Sequence, residues 1–195
     1  MYLVNTHNGI KEKGVEPINI DIYPAIKKHL DSYLLQLEKR QDKGDTIYNL
    51  RNCAYIEDFS KQKIVYPNMT KFLPFYLDDE NFMQNDKSFM ITGNNLAYLT
   101  AFLNSSIFKY CFINNFPELQ GGTRELRKIF LDKIPVLQVS EEVNIDFQKL
   151  VFELQNLIAN KSQTKNLEME IDNKIFDLYG LTDIEKKIIG FIEVQ

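Results

Sequence analysis

The residues best able to do chemistry in this chain are few, and most of them cluster. Gln120-Gly121-Gly122-Thr123-Arg124 carries two adjacent glycines, which accept backbone angles and close approaches that other residues resist. Another molecule can come near such a loop. Arg127, Lys128 and Lys133 follow it, and with Lys109 and Arg124 they outnumber Glu118, Glu125 and Asp132 between Ser105 and Pro135. That excess suits an anionic partner if the side chains share a face. A second cationic set, Lys61, Lys63 and Lys71, is interleaved with Tyr66, Phe72 and Phe75. Rings beside lysines serve nucleic-acid stacking or core packing, and packing is the commoner use.

Catalytic material is scarce by comparison. His7 and His29 are the only histidines, too few for a zinc site or a Ser-His-Asp arrangement. The glycine pair lacks the further glycine and lysine of a nucleotide-phosphate loop. Asp78-Asp79-Glu80 has metal-binding atoms but reads as a polar turn. Glu185 and Lys187 have part of the spacing of a metal-dependent nuclease, yet they fall inside a helical pattern as a solvated face. No catalytic and no metal residue is expected.

Bulk properties exclude several classes. At 195 residues and 44% hydrophobic content the chain can bury a core of one domain plus an appendage. Cys53 and Cys111 sit in apolar or aromatic runs and read as reduced thiols, which points to the cytoplasm. No apolar run nears the roughly 20 residues that span a bilayer, so no membrane is expected. The net charge of −4 is unevenly spread: residues 141–195 hold six lysines and eleven acids, and residues 1–140 hold seventeen basic against sixteen acidic residues.

The elements that must position these residues divide the chain into three expected segments. Residues 1–45 form an N-terminal loop and a connecting helix, with apolar Ile26, Leu30, Tyr33, Leu34 and Leu37 at helical spacing from Pro24 to Arg40. Residues 46–140 form a mixed α and β core. Lys63–Tyr66 and Ser88–Thr92 carry strand signals, Leu96–Leu103 reads as a short helix capped by Asn95, and a further helix begins at Ser105 or Ser106. Residues 141–195 form a C-terminal antiparallel helical hairpin. Phe147, Leu150, Val151, Leu154, Leu157 and Ile158 make one stripe, and Leu167, Ile171, Ile175 and Leu178 make another. Thr182 and Glu185 have capping-box spacing for a short last helix. The fold class is therefore mixed α/β (α+β), a small sheet-containing domain with a helical hairpin.

Four stretches carry a family resemblance in order: LRNCAYIEDFSKQKIVYP from Leu50 to Pro67, FMITGNNLAYLTAFLNSSIFKYCF from Phe89, LQGGTRELRKIFLDKIPV from Leu119, and LEMEIDNKIFDLYGL from Leu167. From about Thr46 onward the chain resembles the TaqI-like C-terminal specificity domain, the target-recognition part of type IIG restriction-modification enzymes and related adenine-specific DNA methyltransferases. The resemblance implies a non-catalytic fragment that reads duplex DNA and aligns a target adenine for modules N-terminal to it. Those modules would use S-adenosylmethionine, and Mg2+ if the parent cleaves; the fragment itself needs no cofactor. Under this reading the DNA-binding residues are Lys61, Lys63, Lys71, Gly121, Gly122, Thr123, Arg124, Arg127 and Lys128. The loop amides and Thr123 would hold phosphate, and Arg124 would read guanine or pair with phosphate. Leu50, Arg51, Asn52 and Cys53 match framework positions. The competing expectation is an interaction scaffold that docks a methyltransferase or restriction subunit through its hairpin.

Overall fold

A computed structural model describes residues 3–192. Met1, Tyr2 and residues 193–195, the outer ends of the first and third expected segments, lie outside the described residues. The chain separates into two compact units, Met1–Glu57 and Asp58–Gln195.

In the first unit the helical pattern from Pro24 to Arg40 is split into α1 (Pro24–Asp31) and α2 (Leu34–Lys39). Ser32 accounts for the break. Its hydroxyl donates to the His29 carbonyl at 2.6 Å, and the Ser32 and Tyr33 N–H groups reach carbonyls three residues back, His29 and Leu30. Such local bonds compete with the regular four-residue ladder. The buried Asn49 amide donates to the His7 and Ile18 carbonyls at 3.3 and 3.0 Å, and Asn8 joins Asp45 and Asn52. Asn52 thus serves as framework. Arg51 does not: it is exposed, with Asp42 3.6 Å away.

The second unit holds β1 (Lys63–Pro67), β2 (Met69–Thr70), β3 (Tyr76–Asp78), β4 (Ser88–Ile91), α3 (Leu96–Asn104), α4 (Ser106–Asn115), β5 (Arg124–Glu125), α5 (Lys128–Leu131), α6 (Glu141–Ala159), α7 (Lys165–Leu178) and α8 (Asp183–Ile189). Strands β3, β1 and β4 form an antiparallel sheet in that order, and β2 pairs with β5 in a separate two-stranded ribbon. Alternation along β1 turns Ile64 and Tyr66 into the core. Almost every α3 residue is buried, because the sheet packs on one side of the helix and α6 on another. Phe108 stands at the centre, with the rings of Phe75, Phe102, Phe112 and Phe116 between 5.8 and 6.5 Å away. The architecture is mixed α/β, with small antiparallel sheets and a C-terminal helical hairpin of α6 and α7.

The start of α3 differs from the sequence expectation. Asn95 takes a left-handed conformation at φ 53° and does not cap the helix; its amide donates instead to the Val139 carbonyl at 2.9 Å. The cap comes from α6, where the buried Asn144 carbonyl oxygen accepts from the Ala97 and Tyr98 N–H groups, both at 3.1 Å. Asn144→Ala leaves two buried donors without a partner. We expect a loss of about 2 kcal/mol, visible as a lower urea midpoint; an unchanged midpoint would show that the α3 N-terminus finds other acceptors. Two other expected caps are present: Ser105 accepts from Phe108, and Thr182 with Glu185 closes a capping box on α8.

Candidate nucleic-acid interface

The β2–β5 ribbon gathers some of the cationic candidates and separates the others. Met69 pairs with Glu125 and Thr70 with Arg124, so one further step of register sets Lys71 opposite Thr123. The Leu126 N–H donates to the Asn68 carbonyl at 3.0 Å and continues the ribbon in the other direction. Thr123 and Arg127 keep extended backbones on either side of β5. Side chains along an extended strand alternate in direction. Thr123, Glu125 and Arg127 therefore share the outward face with Met69 and Lys71, and Arg124 and Leu126 take the inward face. Burial agrees: Leu126 is fully buried, Arg127 is exposed, and only 11% of the Arg124 side chain is exposed.

The glycine loop closes one end of this ribbon. The Leu119 N–H donates to the Thr123 carbonyl at 2.7 Å, and the Thr123 hydroxyl donates to the Gln120 carbonyl at 3.1 Å. Gly121 and Gly122 hold φ values of +76° and +77°, which disfavour residues with a side chain. A Cβ at either position would meet nothing within 4 Å. The glycines are required by backbone conformation, and the space before them is open.

The cations on the ribbon's outward face and beside it are lightly held. Lys71 is exposed and has no acid paired to it among the described residues. Arg127 pairs with Glu125 at 2.7 Å and Lys128 with Asp132 at 2.6 Å. Exposed pairs of this kind contribute about 0–1 kcal/mol, so a phosphate can replace the carboxylate at small cost. Lys87 stands beside the ribbon end away from the glycine loop, where its carbonyl accepts from the Asn68 N–H at 3.0 Å and its ammonium pairs with Asp86 at 2.9 Å. Sequence reasoning passed over Lys87, which lies in a polar turn beside Asp86. Phe72, 43% exposed, adds a ring next to Lys71, whereas Tyr66 and Phe75 belong to the core.

Two of the expected contacts stand elsewhere. Lys63 is fully buried, its ammonium paired with the equally buried Asp78 and donating to the Phe59 carbonyl at 2.8 Å. Its place on β1, opposite in direction to Ile64, puts it under the segment that Asp78 folds over it by accepting from the Glu80 and Phe82 N–H groups. In this structure Lys63 reaches no surface. Lys61 is exposed and pairs with Asp58 at 2.7 Å, but it precedes β1, about 13 Å of strand from the end that leads into the ribbon.

A cavity of about 360 Å³ lies between α3, α6, α7 and the residues before β3, with Glu168, Asp172 and Ile192 among its lining. Burial pushes the Asp172 carboxyl up from its ordinary value, against the Ser106 N–H and hydroxyl that donate to it. Asn104 and Gln155 on the same wall bond the backbone of Phe75 and Leu77. These polar groups knit the fold together. Among the described residues no group of three or more metal-ligating side chains comes together, and no single helix is long and apolar enough to cross a membrane.

No curated protein matches the chain. A family model does, over residues 12–136, which takes in the sheet, α3, α4, the glycine loop and α5 and stops before the α6–α7 hairpin. With well over half of its length matched, the chain belongs to the TaqI-like C-terminal specificity domain family.

Proposed function

We propose that this specificity domain reads a duplex DNA sequence for a restriction-modification enzyme, and that the outward face of the β2–β5 ribbon is the surface it uses. Lys71, Lys87, Arg127 and Lys128 take phosphates, and the open backbone at Gly121 and Gly122 with the Thr123 hydroxyl allows close approach. A two-stranded ribbon is narrow enough to enter the major groove, where each base pair shows a distinct pattern of donors and acceptors. Bound there, the domain holds the target adenine in register for a methyltransferase module that supplies S-adenosylmethionine, and for an Mg2+-dependent nuclease in a type IIG parent. The domain contributes placement and no bond-making step.

The observation that carries this reading is the alternation of the ribbon, which turns Lys71 and Arg127 to one face, with the glycine loop at one end of the ribbon and Lys87 and Lys128 beside the other. A docking scaffold built on the hairpin needs a wide exposed apolar stripe there; Phe147, Val151, Leu154, Leu167, Ile171 and Ile175 are spent on the core, and Ile145, Ile158, Met169 and Leu178 are the exposed large apolar residues left on α6 and α7. Fluorescence anisotropy with a 20-base-pair duplex across a salt series tests the reading. Three to four phosphate contacts give a slope of log K against log salt of about −3 to −4. Absence of binding at low salt, or a slope near zero, contradicts it.

A further inference from the structure

We infer that Arg124 is a positioning residue, clasped by Glu118, that fixes the glycine loop and touches no DNA. For its binding arm this rests on the DNA reading given above. Both terminal nitrogens of Arg124 donate to the same Glu118 carboxylate oxygen at 3.2 Å, and one of them also donates to the Ile113 carbonyl at 3.2 Å. Ile113 lies in the last turn of α4, where carbonyls lack helical partners and a cation complements the helix dipole. The guanidinium also lies 5.8 Å from the centre of the Phe112 ring. Arg124 thus ties the loop to the C-terminal end of α4.

The loop's own hydrogen bonds, Leu119 to Thr123, Gly122 to Leu119 and Thr123 to Gln120, stay within it and do not tie it to the rest of the fold. Glu118 and Arg124 are bridged through their backbones as well as their side chains, so they form the neck from which residues 119–123 project. Beyond the neck, the two glycines have no side chains with which to anchor themselves. A base-reading arginine would also have to stand on the outward face, and strand alternation puts Arg124 on the inward one. An arginine suits the clasp because its planar fork can serve a carboxylate, a carbonyl and a ring together; a lysine is a point charge that cannot.

Two readouts on the whole chain test this. Amide hydrogen exchange at Leu119, whose N–H closes the neck, is expected to speed at least tenfold in Arg124→Ala and by a smaller factor in Glu118→Gln, with the α6 and α7 amides unchanged. Arg124→Lys should fall between Arg124→Ala and the unaltered chain. In anisotropy titrations with a 20-base-pair duplex, Arg124→Ala and Glu118→Gln should both weaken binding, by about tenfold and a few-fold, with the salt slope unchanged because no phosphate contact is lost. Unaltered exchange at Leu119 in Arg124→Ala overturns the clasp. Tighter binding by Glu118→Gln together with a slope reduced by about 0.9 in Arg124→Ala overturns it in another way, by showing that Arg124 leaves Glu118 for a phosphate. If the unaltered chain binds no DNA, the functional reading falls, and the exchange measurement still decides the clasp.

Discussion

Asp78→Ala should lose about 4 kcal/mol of folding stability, within the range of about 3–5 kcal/mol for breaking a buried ion pair. Lys63 and Asp78 are both without solvent exposure, and each depends on the other for its charge partner. Removing the carboxylate strands an ammonium in the core with only the Phe59 carbonyl for company, and it deprives the Glu80 and Phe82 N–H groups of their acceptor. The opposite experiment separates the pair's necessity from its worth. Replacing both partners at once, as Lys63→Met with Asp78→Leu, avoids an unpaired charge and should cost far less than the single change, since apolar substitutes for buried pairs are often neutral. Equilibrium urea unfolding reads both. A loss under about 1 kcal/mol for Asp78→Ala would mean that Lys63 escapes to solvent and that the pair is not structural.

Simultaneous Lys71→Gln, Arg127→Gln and Lys128→Gln should lower DNA affinity by roughly a hundredfold at 0.15 M salt, and flatten the salt slope by about 2.7, while leaving stability near that of the unaltered chain. Each residue is exposed, and the ion pairs that Arg127 and Lys128 make are of the weak exposed kind. The folded core therefore loses little when they change. Lys61→Gln is the internal control, because Lys61 lies at the other end of β1 and should leave both affinity and slope in place. An equal loss from Lys61→Gln would move the DNA surface away from the ribbon.

Much of the fold was legible because its signals are local. β-branched and aromatic runs marked β1 and β4, Ser105 announced α4, and two apolar stripes marked α6 and α7. The misses arise where distant residues decide. Asn144 caps α3 from a position 47 residues beyond Ala97, and no pattern around Asn95 reveals that. Lys63 looked like a surface cation because its burial depends on Asp78 and on the loop folded over them. The inward direction of the Arg124 side chain was hidden because β5 is only two residues long. So short a strand gives no visible alternation, and only pairing with β2 shows which way its side chains point. Lys87 belonged to no motif at all and stands beside the ribbon through one backbone hydrogen bond to Asn68.

Sequence reading by this chain is tested most directly by enrichment. A pool of duplexes with a random central stretch is passed repeatedly over the immobilised chain, and the retained DNA is sequenced. The pool should converge on one short motif, and the Lys71, Arg127 and Lys128 triple variant should retain too little DNA to converge. Retention of DNA without convergence, or convergence to the same motif by the triple variant, would contradict sequence recognition through the ribbon face.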